Sequence, residues 1–148
     1  MSINVILRGS FGFFLLILST ITFGQKLDSI SIAEKFTIDN CVNEFNTEET
    51  IATKVGYQYW FANKDFLDGR TLKMSVVAPK KATHPPHSHE EDEFFFVLEG
   101  TAEFYLDGKT KVAGPYTSFY CPPFSEHGIK NVGETELKYL VIKKYLKE

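Results

Sequence analysis

Residues 84–100 read His84-Pro85-Pro86-His87-Ser88-His89-Glu90-Glu91-Asp92-Glu93-Phe94-Phe95-Phe96-Val97-Leu98-Glu99-Gly100. Three of the chain's four histidines fall in this stretch, and the fourth is His127. On an extended backbone side chains alternate between faces, so His87 and His89 point the same way with their rings close together. Glu93 adds a carboxylate four residues after His89, and a distant third imidazole, His127, completes the donor set of a divalent metal site. Phe94 to Leu98 is an unbroken apolar run, as expected of a strand covered on both faces. Glu90, Glu91 and Asp92 read as a solvated acidic turn whose field favours cations, and His84 reads as a loop or rim residue.

Working outward, the flanking sequence has the period of strands. Tyr57, Tyr59 and Phe61 alternate with Gln58 and Trp60, and Leu72, Met74 and Val76 alternate with Lys73 and Ser75. Asp68-Gly69 marks the turn between them, and Asp107-Gly108 is a hairpin signal between Thr101–Leu106 and Lys109–Val112. Ser118–Cys121, Gly128–Val132 and Leu137–Ile142 supply further short strands, separated by Pro122-Pro123 and Gly133-Glu134. Close-spaced short strands without a convincing amphipathic helix predict an all-β, antiparallel sandwich or barrel. Before it, Ile30, Ile32, Phe36 and Ile38 alternate like a strand, and Asn43 to Thr50 is polar and loop-like. Residues 25–54 are too short for their own core and are expected to pack on the barrel as an N-terminal extension.

At 148 residues, with 43% hydrophobic and 15% aromatic content, the chain suits one domain with a packed core. Fourteen Phe and seven Tyr against one Trp and two Met favour pleated, half-buried surfaces. Residues 1–24 carry one cation, Arg8, then an apolar run from Phe11 to Phe23 that ends in Thr22-Phe23-Gly24, with small residues at the −3 and −1 positions of a cut before Gln25. This is the pattern of a secretory signal peptide, and the run is shorter than the ~20 residues of a membrane-spanning helix. The expectation is an exported chain, periplasmic or secreted, free of the membrane after cleavage. Loss of Arg8 takes the formal net charge from −3 to −4, which argues against nucleic acid or anionic membrane as partners. Cys41 and Cys121 remain in the mature part, and an oxidising compartment would permit a disulfide between them. Nothing in the sequence brings the two together, which favours two unpaired thiols.

The motifs match a known family. His87-x-His89-x3-Glu93-x6-Gly100 resembles the first motif of the cupins, and Pro122-x4-His127-x3-Asn131 resembles the second. The resemblance implies a jelly-roll β-barrel over residues 55–148 with one metal ion near its centre, held by His87, His89, Glu93 and His127. Pro122 and Asn131 fall at positions that shape the barrel rather than bind metal. Two departures stand out: Phe124 replaces the glycine three residues before the second-motif histidine, and Gly114 lies two residues further from Pro122 than usual. Both bear on the loop before His127.

Three neutral imidazoles and one carboxylate suit iron(II), manganese, zinc, nickel or cobalt, and leave one or two positions of an octahedral ion open. The reading is a metal-dependent cupin, an isomerase, lyase or dioxygenase, acting on a small polar organic molecule such as a sugar or uronate derivative. The alternative is a non-catalytic sugar-binding cupin with a structural metal. Tyr105, Tyr116 and Tyr120 are candidates to line the cavity, and Arg70 is a candidate to hold a substrate carboxylate, although an exposed strand end suits it better. Single-domain cupins commonly pair through their sheets, so the apolar strands are compatible with a homodimer.

Overall fold

The structure is a computed structural model that describes residues 36–67 and 69–145. The expected signal peptide, residues 1–24, and most of the strand expected at Ile30–Ile38 lie outside the described residues. The chain divides after Val42 into two units. In the first, Ile38–Cys41 forms one helical turn. It is closed by Thr37, whose N–H donates to Asn40 Oδ1 at 2.9 Å while Asn40 N–H donates back to Thr37 Oγ1 at 3.4 Å. This reciprocal cap overrides the strand-like alternation at Ile38.

The second unit is all-β. Its strands are β1 (Ile51–Thr53), β2 (Gly56–Leu67), β3 (Arg70–Val77), β4 (Glu93–Glu99), β5 (Ala102–Leu106), β6 (Lys109–Ala113), β7 (Ser118–Cys121), β8 (His127–Asn131) and β9 (Leu137–Lys144). They form an antiparallel jelly roll of two sheets, ordered β1-β2-β3-β9-β4-β7 and β6-β5-β8. Two turns hold the register. Asp107 (φ 45°) and Gly108 (φ 82°) give the left-handed pair that a two-residue hairpin between β5 and β6 requires. Gly100 (φ 88°) lies so close to the Glu136–Leu137 backbone that a Cβ would come within 2.6 Å of Glu136 O.

The inward positions grade from apolar to ionic along each strand of the large sheet. On β3 they run Val77, Ser75, Lys73; on β9 Leu137, Tyr139, Val141, Lys143; on β4 Val97, Phe95, Glu93. Register aligns these series, with Val77 beside Leu137, Ser75 beside Tyr139, and Glu93 beside Lys143. The apolar end closes against the small sheet through Ala102, Phe104 and Ile129, with Cys121 buried among them. Phe95–Tyr139 and Phe104–Phe119 ring contacts at 5.6 and 4.9 Å fill it, each buried ring stabilising by roughly 1.5–3 kcal/mol. The ionic end stays open as a cavity.

The outer face of the large sheet carries the second apolar cluster, Tyr59, Met74 and Val76 with Tyr57, Phe61, Leu98 and Leu140 packed against it. Asn43–Glu49 lies on that face: Asn43 Nδ2 donates to Phe61 O at 2.9 Å, Tyr59 O–H donates to Glu44 O at 2.8 Å, and the Phe45 ring meets Tyr59 edge-on. The apolar side of the β2/β3 alternation therefore faces outward, and Gln58, Trp60, Lys73 and Ser75 face the barrel interior. Phe94, on the same outer face of β4, is 42% exposed, so β4 is not covered on both faces as its sequence predicts.

Candidate metal centre

The His-x-His segment is not part of β4; it is the loop that leads into it. His87 is fixed by an isolated antiparallel bridge to His127, with His87 N–H to His127 O at 3.0 Å and His127 N–H to His87 O at 2.9 Å. His127 opens β8, and Glu93 opens β4, each on an inward position. These anchors set the ring centroids of His87, His89 and His127 at 4.8 to 5.3 Å from one another. One donor atom from each of His87, His89, Glu93 and His127 lies within 4.8 Å of the others. His127 is wholly buried and Glu93 nearly so, while His87 and His89 are half-buried.

The protons on these rings follow from their partners. A carbonyl oxygen only accepts, so His127 Nδ1 must donate to Ser125 O at 2.8 Å, and His89 Nδ1 to Glu91 O at 2.7 Å. These bonds fix both rings, and each neutral ring so held presents its Nε2 lone pair, the ligating form. Nε2 of His127 lies 3.1 Å from Glu93 Oε1, a hydrogen bond when that nitrogen carries a proton and a pair of acceptors for a shared cation when it does not. His89 Nε2 and His87 Nδ1 are buried with no hydrogen-bond partner. Burial, followed by the neighbouring imidazoles of His84, His127 and His89, holds His87 below its ordinary pKa, which favours the neutral ring. Buried ring nitrogens without a partner are costly unless a cation sits between them. A divalent ion satisfies all of these atoms at once, so the residues fit the metal that the sequence motif implies.

His87, His89 and Glu93 lie on the wall of a cavity of about 430 Å³, within the size range of small-molecule sites, and His127 is buried behind them. Lys73, Ser75, Tyr139 and Lys143 form the large-sheet side of it, and Lys54 and His84 are exposed at its rim. His84 keeps its ring 4.2 Å from that of His87. Asn131, fully buried, donates to Val77 O and Thr135 O at 2.9 and 2.8 Å and accepts from Gly133 N–H at 2.9 Å, which ties β8 to the end of β3. Phe124 (φ 63°) keeps the left-handed backbone that glycine favours, and its N–H donates to His89 O at 2.8 Å. The substitution thus leaves the loop path intact at a strain of about 1–2 kcal/mol.

The tyrosine candidates are corrected. Tyr105 donates its hydroxyl to Glu126 at 2.6 Å, Tyr116 is 83% exposed, and Tyr120 is 44% exposed; none of them lines the metal cavity, where Tyr139 and Tyr145 stand instead. Arg70 lies in a shallow depression with Asp92 and Phe94, outside the cavity. Lys73 and Lys143, to which the sequence reading gave no role, line it. Their signal was the even spacing of Lys73 and Ser75, legible only once the inward face is known. Both thiols are free, Cys41 exposed and Cys121 buried, and burial pushes the Cys121 thiol well above its ordinary pKa.

Residues 73–143 match the family of cupin domains. No curated protein sequence matches the chain. Among solved structures, a cupin 2 conserved barrel domain protein from Salinispora arenicola shares 18% identity at a TM-score of 0.59, over 70% of this chain and 87% of that one. A predicted oxalate decarboxylase from Thermotoga maritima shares 20% identity at a TM-score of 0.57, over 61% of this chain and 80% of that one. The polyketide cyclase RemF from Streptomyces resistomycificus shares 21% identity at a TM-score of 0.58, over 72% and 88%. At such identities the likeness is one of fold. Motif spacing, the donor cluster inside the barrel and the family match agree: residues 73–143 of this chain form a cupin domain.

Proposed function

We propose that this cupin is an exported, metal-dependent enzyme acting on a small polar organic molecule such as a sugar or uronate derivative. One observation carries the reading: of four converging donors, two with orphaned buried nitrogens, three border a cavity large enough for a small molecule. A divalent ion held there supplies Lewis acidity to an oxygen-bearing ligand or, if it is iron, oxygen activation. The chain's own residues set the conditions for this. The Nδ1–H bonds of His89 and His127 fix the rings, and Phe95 and Val141 shield the inner wall from water. Tyr139, its phenol kept protonated by burial, stands by Thr83 at 3.4 Å as a neutral hydrogen-bonding group beside the cavity. Solved cupin-fold proteins described as a decarboxylase and a cyclase support an enzymatic role without fixing the reaction.

The leader-like residues 1–24 support export. The exposed outer-face side chains Phe94, Tyr120 and Ile142 support pairing of two copies through the large sheet; gel filtration eluting at the monomer volume would sink that part. The enzymatic reading is tested by incubating metal-loaded protein with neutral sugars, saturated and unsaturated uronates and small hydroxy acids, with His127→Ala alongside. Conversion by the wild type alone is expected. Equal conversion by both, or saturable binding with no conversion, overturns it.

A further inference from the structure

Lys73 is the least explained side chain of the barrel interior. It projects from β3 beside Val141 and Trp60, and its Nζ lies 5.1 Å from the centroid of the Trp60 ring. Among the described residues its ammonium has no hydrogen bond or ion pair. Lys143, one step nearer the mouth, is differently placed: it pairs with Glu91 at 3.3 Å and lies over the Tyr145 ring at 4.8 Å. An ammonium enclosed in a protein wall without a carboxylate is costly. The Trp60 face recovers part of that cost by cation–π attraction and holds the long stem in one orientation.

The charge around it is one-sided. Three lysines, Lys54, Lys73 and Lys143, line the cavity against a single carboxylate, Glu93. Glu91 offsets Lys143, and a divalent ion in the donor cluster would engage Glu93. That leaves Lys73 as an uncompensated cation in a low-dielectric pocket of a chain whose formal net charge is −3. Field of this sign, set against the sign of the whole protein, concentrates anions.

We propose that Lys73 is the specificity-determining residue of the cavity and binds the carboxylate of the substrate, so that the substrate class is small organic acids rather than neutral sugars. The inference deepens the metal-enzyme reading and rests on it for the opposite end of the substrate only. The Gln58 amide on the same wall is placed to meet hydroxyl groups of such an acid.

The test compares galacturonate with galactose, which differ in the carboxylate, using zinc-loaded full chain. Calorimetry gives affinity, and fluorescence of Trp60, the chain's single tryptophan, reports the position. Expected are tighter binding of galacturonate with a Trp60 response, at least a tenfold loss in Lys73→Met, and recovery in Lys73→Arg. Oxalate and succinate serve as further carboxylate probes. Equal affinity for the acid and the neutral sugar, unchanged affinity in Lys73→Met, or no saturable response to any carboxylate overturns the proposal. His127→Ala separates the two readings. If it abolishes galacturonate binding while Lys73→Met does not, the anion sits on the metal and the lysine assignment falls alone. If elemental analysis finds no metal uptake yet Lys73→Met still loses the acid, the metal reading falls and the lysine subsite stands.

Discussion

Asn131 shows how much one side chain can hold. Its amide serves two carbonyls and one N–H from three places in the chain, all with the side chain fully buried. Asn131→Ala leaves these groups unsatisfied, and at about 1–3 kcal/mol per orphaned group the variant is expected to lose several kcal/mol in urea unfolding. A loss below about 1 kcal/mol would mean that water replaces the amide. Lys73 gives the opposite sign. Its pKa is lowered first by burial, with Glu93 opposing and Lys143 adding to the effect. A lysine whose folded pKa lies below its unfolded value of 10.5 costs stability wherever it is charged in both states. The unfolded chain takes up the proton first as pH falls below 10.5, so the cost grows through that window and is complete below the folded pKa. Lys73→Met is therefore expected to melt a few degrees higher than wild type at pH 7, with the gain shrinking as pH rises from the folded pKa toward 10.5 and gone above it. A lower melting temperature at pH 7 would contradict the burial argument. The trade of stability for a charge on the cavity wall is the pattern of a functional residue.

At the scale of the element, two glycines with nearly the same φ make a paired comparison. Gly100 and Gly108 sit at 88° and 82°, but a Cβ meets backbone at 2.6 Å in the first and nothing within 4 Å in the second. Gly108→Ala is expected to cost only the conformational strain, about 1–2 kcal/mol. Gly100→Ala must also displace the Glu136–Leu137 backbone and is expected to cost more, with loss of register between β4 and β9. Thermal unfolding of the two variants checks the order, and equal losses would refute the steric part. Strand positions β5 to β9 were legible in the sequence because turn residues bound each apolar run. The facing of β2 and β3 was not. Period two says that alternate residues share a face, and it does not say which face is inside when an N-terminal segment covers the outside. Phe45 against Tyr59 is the contact that decides it.

For the whole molecule, the donor cluster joins the His87 loop, β4 and β8, so an ion held there links both sheets. Binding to the folded state alone stabilises by about 2.7 kcal/mol at a hundred times the dissociation constant. Zinc or manganese is therefore expected to raise the melting temperature of the chelator-treated protein, and His127→Ala to abolish the rise. An equal rise in the variant would place the ion elsewhere.

The sequence by itself determined the all-β class, most strand positions and the four candidate ligands, because spacing, turn chemistry and donor type are local properties. Only the tertiary structure decided that His87 bridges His127, that two buried ring nitrogens of the cluster lack partners, and that Lys73 points inward while Tyr105, Tyr116 and Tyr120 do not. These depend on which surfaces the other strands and the segment at Asn43–Glu49 cover, and burial is a property of the assembled barrel rather than of any stretch of chain.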